Sequence, residues 1–398
     1  MKRSLMLALV IVVVAGSVFG QSDESAEALL KSFQSTGTDG KVALLRRLHA
    51  GPTAAGVPVY FAALDYSVDH EQDSLYDSRI NEVGRLAIES LSKLPVTDGA
   101  DTVWRYFTAQ TSDELRIYAL RVIRSGADNV PDDVAVALSD YLSRMNHMSK
   151  SGARPNGELI ETTVAALSDI GHPSAFTSLF DAATHPNYGV GLRDRAAGGL
   201  SRLDVEVERE LVDLLSRATL DEYQAVLEFS KRTSTLSSET KEAIARITLQ
   251  DTMDSRYRDQ SDAQRAKDLR HAAAVELAEL QALSPPELIT AYLDSVYSEY
   301  RRNETTLAYV VEAVAMVGDT GSAKAASRLT TLLQSFNTMV EYDSSVEDQL
   351  VIAVIEQLDR LNEDAAADTL LQTQLLDFPR DIRELARDVE VRLRRGTP

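Results

Sequence analysis

One pattern in the middle of the chain constrains the fold more than any other feature. Val164, Leu167 and Ile170 follow one another at intervals of three residues, which places them on one side of a helix. Gly171 comes next, and glycine commonly ends helices because it adopts the left-handed conformation without a Cβ clash. A proline two residues later suits the first turn of a second helix. Residues 158–203 therefore predict helix, glycine turn and helix, with a positive φ angle at Gly171.

The same pattern returns elsewhere in the chain. Two copies keep the register of the first one: Val311, Val314, Val317 and Gly318, and then Ile355, Leu358, Leu361 and Asn362. Asparagine is the usual substitute for glycine at a left-handed helix end. A degenerate copy consists of Ile88, Leu91 and Leu94, with Pro95 as the stop. This recurrence predicts a stack of helical hairpins, one of them around Pro95.

A second element also occurs three times: an aliphatic residue, an arginine, two further residues and an alanine. Its copies are Leu115, Arg116 and Ala119; Leu192, Arg193 and Ala196; and Ile382, Arg383 and Ala386. With the hairpins, this element resembles the short form of the HEAT-repeat family. The resemblance implies an all-α fold, a right-handed α-solenoid of antiparallel helical hairpins of the armadillo type. It also implies that the aliphatic residue is buried and that the arginine contacts an acid of a neighbouring hairpin.

Chain length supports a repetitive architecture over a single core. The chain has 398 residues, whereas one compact core rarely grows beyond about 250–300 residues. A solenoid avoids this limit because each hairpin contacts only its neighbours. We expect residues 21–398 to form a HEAT-like solenoid, with the clearest repeats at 80–125, 158–217 and 303–395. The alternative is an irregular helical domain whose helices resemble each other by chance, since short repeats are easily over-interpreted.

Local composition predicts the remaining elements. Polar or charged stretches predict loops at 66–79, 146–157 and 335–345. Val57–Leu64 is apolar on all sides, which favours a buried helix over a strand. Asn303 is interpreted as the N-cap of the helix that ends at Gly318.

The N-terminus has the pattern of a secretory signal. Two basic residues precede the ten-residue apolar run Leu5–Val14, and small residues then lead to a cleavage position before Gln21. The run is shorter than the ~20 residues that span a bilayer. We predict that residues 1–20 are a signal peptide and that the mature protein is periplasmic or extracellular. An uncleaved anchor is the alternative. The chain has no cysteine, so it is not predicted to be a lipoprotein.

The charge balance limits the kinds of partner. The chain has 61 acidic and 41 basic side chains, and removal of residues 1–20 takes the formal net charge from −20 to −22. Nucleic-acid binding needs basic clusters, so it is not expected. Docking on anionic lipid is disfavoured for the same reason. A basic or extended protein partner is the natural ligand of such a chain.

The sequence contains no convincing catalytic motif. No two histidines have metal-ligand spacing on one helix, and the absence of cysteine excludes thiol catalysis. His172 and His185 are interpreted as solvated turn residues. The segment Gly189–Gly191 precedes a helix but lacks the third glycine and the strand of a phosphate-binding turn. We therefore predict no catalytic, cofactor-binding or metal-binding residue, and we assign no binding residue.

The sequence leaves two functions open. The first is a non-catalytic protein–protein interaction scaffold with an acidic binding surface and no cofactor. The second is a helical-toroid enzyme or binding protein that acts on cell-wall polysaccharide. Carboxylate pairs can hydrolyse glycosides, but Glu206 and Glu208 would point about 200° apart on a helix. Tyr292, Tyr297 and Tyr300 favour packing over a sugar-binding surface. The scaffold is the preferred hypothesis.

Overall fold

A computed structural model describes residues 25–395 except 217, 256, 258, 283 and 284. Within these residues the fold is all-α, with twenty α-helices, a few short 3₁₀ turns and no strand. The predicted signal peptide lies outside the described residues. The chain divides into two compact units, residues 1–205 and residues 206–398.

The first unit contains ten helices in its described part. They are α1 Ala26–Ser35, α2 Thr38–His49, α3 Val57–Asp69, α4 Ser78–Leu91, α5 Ala100–Ala109, α6 Asp113–Ser125, α7 Asp132–Lys150, α8 Gly157–Ile170, α9 Ala175–Thr184 and α10 Val190–Leu200. Each helix packs against the helix two positions further along, so odd helices neighbour odd helices and even helices neighbour even ones. Close pairs α3–α4, α5–α6, α7–α8 and α9–α10 join these two layers. The core lies between the layers.

The second unit repeats this arrangement. Its described helices are α11 Val207–Leu215, α12 Leu220–Arg232, α13 Ser238–Asp254, α14 Gln260–Glu279, α15 Pro286–Arg301, α16 Leu307–Asp319, α17 Ala323–Glu341, α18 Asp348–Leu361, α19 Ala367–Leu375 and α20 Arg380–Arg395. Here too every helix packs on its second neighbour, and α13–α14, α15–α16, α17–α18 and α19–α20 form close pairs.

Three predicted loops are confirmed only in part, because the preceding helices extend into them. α3 continues to Asp69, α7 to Lys150 and α17 to Glu341. Polar residues in these segments concealed the helical periodicity, because several of them are buried and hydrogen-bonded. Asn146 and Asn337 are both inaccessible to solvent inside their helices. The helical interpretation of Val57–Leu64 is confirmed, since it forms the first part of α3.

The helix ends confirm two predicted left-handed positions and correct two other predictions. Gly171 has φ 69° and Asn362 has φ 52°, as predicted. Gly318 instead lies inside α16, where a Cβ would overlap the carboxamide of Gln357, so close packing explains that glycine. Asn303 does not cap α16: it has φ 57° beyond the end of α15, and Thr306 is the N-cap of α16.

The hairpin predicted around Pro95 is also corrected. Its first helix, α4, ends at Leu91 rather than Leu94 and pairs closely with the preceding helix, α3. Its second helix, α5, pairs closely with α6. The turn at Gly171 joins α8 to α9, and α9 also packs on α7 and α10. The turn signals at Gly171 and Asn362 therefore located helix ends, whereas the pairing of the helices depends on contacts that a local pattern does not encode.

The burial predicted for the aliphatic residue of the arginine element is confirmed in two of its three copies. Leu192 and Ile382 are buried, but Leu115 is half-buried. Arg116 forms no ion pair with a neighbouring hairpin within the described residues: its nearest acid is Asp113 of its own helix, at 3.9 Å. Its guanidinium lies over the Phe107 ring and contacts Tyr141 of α7. Within the described residues, the other two arginines of the element form no ion pair.

Candidate functional site

Other arginines form the contacts that the element was expected to make. In the first unit they link neighbouring even helices or their ends, each across about 33–45 residues of sequence: Arg46–Glu82, Arg79–Asp39, Arg121–Glu158, Arg124–Asp169, Arg195–Glu161 and Arg202–Asp169. Each pair is partly exposed and contributes only ~0–1 kcal/mol. Their shared effect is electrostatic, because they neutralise the acids of the even helices.

Among the helices of the first unit, the net negative charge resides on the odd ones, even though Arg105 and Lys150 pair with acids there. The even helices carry ten basic and nine acidic residues, whereas the odd helices carry four basic and eight acidic ones. Asp133 and Asp140 are exposed two turns apart on α7, and neither forms an ion pair within the described residues. Val136, 41 % exposed, lies between them on the same face. We name Asp133, Val136 and Asp140 the α7 stripe.

A cavity of about 740 Å³ opens beside the C-terminal end of α7. The α7–α8 connection, the first turn of α8 and the α9–α10 connection line it, through residues that include Ser149, Arg154, Glu161, Asn187 and Gly191. Its volume lies within the range of about 300–1,000 Å³ of ligand sites. We name this space the unit 1 cavity.

A buried hydrogen-bond network borders the unit 1 cavity. Asn146 donates from Nδ2 to the Ser178 carbonyl at 2.9 Å and accepts at Oδ1 from the Tyr188 hydroxyl at 2.9 Å. His185 donates from Nε2 to the Asn146 carbonyl at 3.1 Å, and its Nδ1 accepts the Asn187 backbone N–H at 3.1 Å. Every polar atom of the buried asparagine and imidazole thus has a partner, as buried polar groups require.

The network corrects the prediction that His185 is a solvated turn residue. Its ring is inaccessible to solvent and stacks on Tyr188 with 3.9 Å between ring centroids. Burial lowers the pKa of His185, which agrees with an Nδ1 that accepts a hydrogen bond. Burial also raises the pKa of Tyr188 to about 12. His172, in contrast, is half-buried, with its Nδ1 2.8 Å from the Ser174 hydroxyl.

Gly189 and Gly191, from the segment that lacks a phosphate-binding pattern, line the unit 1 cavity. Gly189 is the N-cap of α10 and provides no side-chain cap. A Cβ on Gly189 or Gly191 would meet no atom within 4 Å, and neither glycine has a positive φ angle. Neither packing nor backbone conformation therefore requires glycine at these positions.

The candidate sugar-binding tyrosines are mainly packing residues. Tyr292 is buried, and its hydroxyl lies 2.7 Å from Nδ1 of His271. Tyr297 packs edge-on against Phe336, with 6.0 Å between ring centroids. Tyr300 is half-buried.

The paired carboxylates of the sequence lie in different surroundings. Glu206 is the exposed N-cap of α11. Glu208 accepts hydrogen bonds from Ser237 and Thr240, and these bonds lower the pKa of its carboxyl group. The side chain of Glu206 makes no capping hydrogen bond, so the two acids have different surroundings and share no partner. Asp132 and Asp133 are exposed in the first turn of α7.

Sequence reasoning missed an exposed apolar pair. Leu75 is 81 % exposed and Tyr76 is 93 % exposed in the α3–α4 connection. The available signal was two large apolar side chains within a stretch that composition identified as an acidic loop.

No protein-family model matches this chain, and no curated protein matches it. Among the described residues, no three His, Cys, Asp or Glu side chains form a group that could hold a metal ion. None of the helices in that part of the chain combines the length and apolar character needed to cross a membrane.

Proposed function

We propose that this protein is an exported, HEAT-like right-handed α-solenoid that acts as a non-catalytic protein–protein interaction scaffold. It works in the periplasm or outside the cell and needs no cofactor. Within each unit, the packing of helices on their second neighbours supports this proposal, because such stacking presents one helix of each pair on a continuous surface.

The charge distribution of the first unit is the observation that carries the proposal. Among the helices of this unit the odd ones hold the net negative charge, and the α7 stripe offers, around an exposed valine, two acids that form no ion pair within the described residues. A basic or extended protein segment fits such a surface, since unpaired charges speed the encounter with an opposite charge. Exposed pairs formed in this way are screened over ~8–10 Å at ordinary salt.

Affinity capture with two matched variants tests the proposal. The mature chain, residues 21–398, is immobilised and exposed to an extract of its own cell envelope at low and at high salt. Asp133→Asn with Asp140→Asn removes two unpaired acids from the odd helices. Glu114→Gln with Asp194→Asn removes two exposed acids from the even helices, and these also lack ion pairs within the described residues.

We expect the wild type to retain one basic or extended protein at low salt and to retain less of it at high salt. The α7 variant should no longer retain this protein, whereas the even-helix variant should retain it as the wild type does. Equal loss in both variants would refute the placement on the odd helices. Hydrolysis of a purified cell-wall polysaccharide by the same protein would refute the scaffold itself and establish the alternative enzyme.

A further inference from the structure

The α3–α4 connection exposes two adjacent large apolar side chains. Leu75 is 81 % exposed and Tyr76 is 93 % exposed, and both are among the most exposed large apolar residues of the described chain. Single exposed apolar residues are ordinary on a protein surface, whereas a contiguous pair forms a patch of the kind that marks interaction sites. Tyrosine combines a large apolar ring with a hydroxyl and is enriched among residues that dominate binding energy.

The backbone of this connection is held in place. Ser74 donates its N–H to the His70 and Glu71 carbonyls, and its hydroxyl donates to the Glu71 carbonyl at 2.6 Å. Tyr76 and Asp77 both donate their N–H groups to the Asp73 carbonyl, at 3.0 and 2.9 Å. The exposed pair is therefore displayed on an ordered turn, which lowers the ordering cost of binding.

The pair lies among acids. Glu71, Asp73 and Asp77 belong to the same connection, and only Asp77 has a cation partner within the described residues, Arg79. Glu71 and Asp73 are exposed. A partner that covers the apolar pair must therefore place its own charged groups next to two unpaired carboxylates, and basic side chains satisfy this requirement.

We propose that residues 71–77, the anchor loop, insert Leu75 and Tyr76 into an apolar pocket rimmed by basic side chains on the protein partner. This inference rests on the proposed scaffold function and identifies the contact that supplies most of its affinity. The α7 stripe then contributes mainly to the rate of encounter, and the anchor loop to the lifetime of the complex.

The chain offers a matched control. Tyr342 is 77 % exposed, and Glu341 and Asp343 flank it in the α17–α18 connection of the second unit. It shares the exposure and the neighbouring acids of Tyr76 but has no exposed apolar residue directly beside it. A partner with a general affinity for exposed aromatic residues would bind both tyrosines, whereas a partner of the anchor loop binds Tyr76 alone.

The first step of the test identifies the partner at the anchor loop. A photo-crosslinking amino acid replaces Tyr76 in one version of the full chain and Tyr342 in another, and both are irradiated in the producing cells. Mass spectrometry identifies the adducts. We expect one protein to crosslink at position 76 and not at position 342. No adduct at position 76, or the same adducts at both positions, would overturn the inference.

The second step titrates the purified partner against variants of the mature chain. Tyr76→Ala should raise the Kd about tenfold or more, as loss of a dominant contact does. Glu71→Gln with Asp73→Asn should weaken binding about two- to fivefold at low salt and much less at high salt. Tyr342→Ala should leave the Kd unchanged. Unchanged thermal melts would show that each variant folds.

The outcomes separate this inference from the proposed function. A partner that binds the wild type but is indifferent to Tyr76→Ala refutes the anchor loop and leaves the scaffold intact. A partner that binds equally to the Tyr76 and Tyr342 variants, with both weakened, refutes the specific anchor. If the wild type binds no protein at all, the scaffold function fails and the anchor loop fails with it.

Discussion

Two four-helix segments, α7–α10 in the first unit and α17–α20 in the second, correspond residue by residue over most of their length. α7 and α17 both have 19 residues, α8 and α18 both have 14, and adding 191 to the residue numbers of the first pair gives those of the second. The same shift takes the left-handed Gly152 to Asp343 and Gly171 to Asn362. One residue is lost before the last helix, since α10 begins at 190 and α20 at 380.

The correspondence extends to a buried asparagine. Asn146 donates to the Ser178 carbonyl and Asn337 donates to the Thr369 carbonyl, and both pairs are related by the same shift. The oxygens of the two asparagines are satisfied differently. Tyr188, from the α9–α10 connection, donates to Asn146, whereas Thr373 of α19 donates to Asn337 at 2.9 Å.

This difference shows that the hydroxyl donor to the buried asparagine can come from different elements in the two segments. A buried amide oxygen needs a donor, but the donor can come from either side of the site. The counterpart of Tyr188 is the buried Phe378, and the counterpart of Thr373 is the buried Ala182. The second segment thus supplies its hydroxyl from inside a helix. The first supplies it from a connection that also lines the unit 1 cavity.

The largest expected effect tests whether the two segments bury equivalent core positions. Ile382→Ala should cost about 2–5 kcal/mol and Leu192→Ala somewhat less, because Ile382 is fully buried and Leu192 is 8 % exposed. Leu115→Ala should cost less than either, since Leu115 is half-buried. Urea unfolding of the purified variants measures the difference. Arg193→Ala is the control and should cost less than Leu192→Ala, because Arg193 forms no ion pair within the described residues. A larger loss for Arg193→Ala than for Leu192→Ala would contradict the correspondence.

The second prediction exchanges the hydroxyl donors. Tyr188→Phe leaves Oδ1 of Asn146 without its donor and should cost about 1–3 kcal/mol. Adding Ala182→Thr places a hydroxyl where the second segment has Thr373, and it should restore part of that loss. Ala182→Thr alone is the control, because it tests whether the extra atoms fit. Calorimetric melts of the three variants measure these stabilities. If the double variant is no more stable than Tyr188→Phe, the two sites are not equivalent.

The third prediction concerns the left-handed helix ends. Gly171→Val should cost about 1–2 kcal/mol, because a β-branched residue is strained at φ 69°. Gly171→Asn should also destabilise, since a Cβ there would lie 3.0 Å from the Arg202 carbonyl oxygen. Asn362→Gly, its counterpart in the second segment, should cost less because the native residue already carries a Cβ. Thermal melts compare them, and equal losses for Gly171→Asn and Asn362→Gly would contradict this packing difference.

The smallest expected effect is a pH dependence in the first segment. Burial holds the pKa of His185 below its ordinary value, so near pH 6.5 and just below it the unfolded chain binds more protons than the folded one. The contribution of neutral His185 to the free energy of unfolding is therefore complete above about pH 7 and is lost as the pH falls through about 6.5. The free energy of unfolding then changes by at most ~1.4 kcal/mol per pH unit. The counterpart in the second segment is Leu376, which does not titrate.

Urea unfolding between pH 5 and pH 8 measures this slope. His185→Gln should flatten it. Burial also lowers the pKa of His271, which contributes in the same direction and stays in both proteins, so only the difference between wild type and variant counts. An identical slope in the two proteins would show that His185 does not supply it.

The sequence alone determined the all-α class and several helix ends. Apolar spacing and the residues that stop a helix act within a few positions of the chain, so they can be read without knowledge of distant contacts. This is why Gly171 and Asn362 were located correctly. The same local reasoning failed at Gly318, whose small size serves a contact with Gln357 some 40 residues away.

Only the tertiary structure decided which helices are neighbours and which polar residues are buried. The sequence predicted Asn146 to be a loop residue and His185 to be a solvated turn residue, because a polar side chain is expected at the surface unless its buried partners are known. Those partners lie 32–42 residues away along the chain. The arginines that link even helices have the same origin, since their acids lie on the second-neighbour helix or at its ends. Packing brings these groups together, and no local pattern of the sequence encodes that proximity.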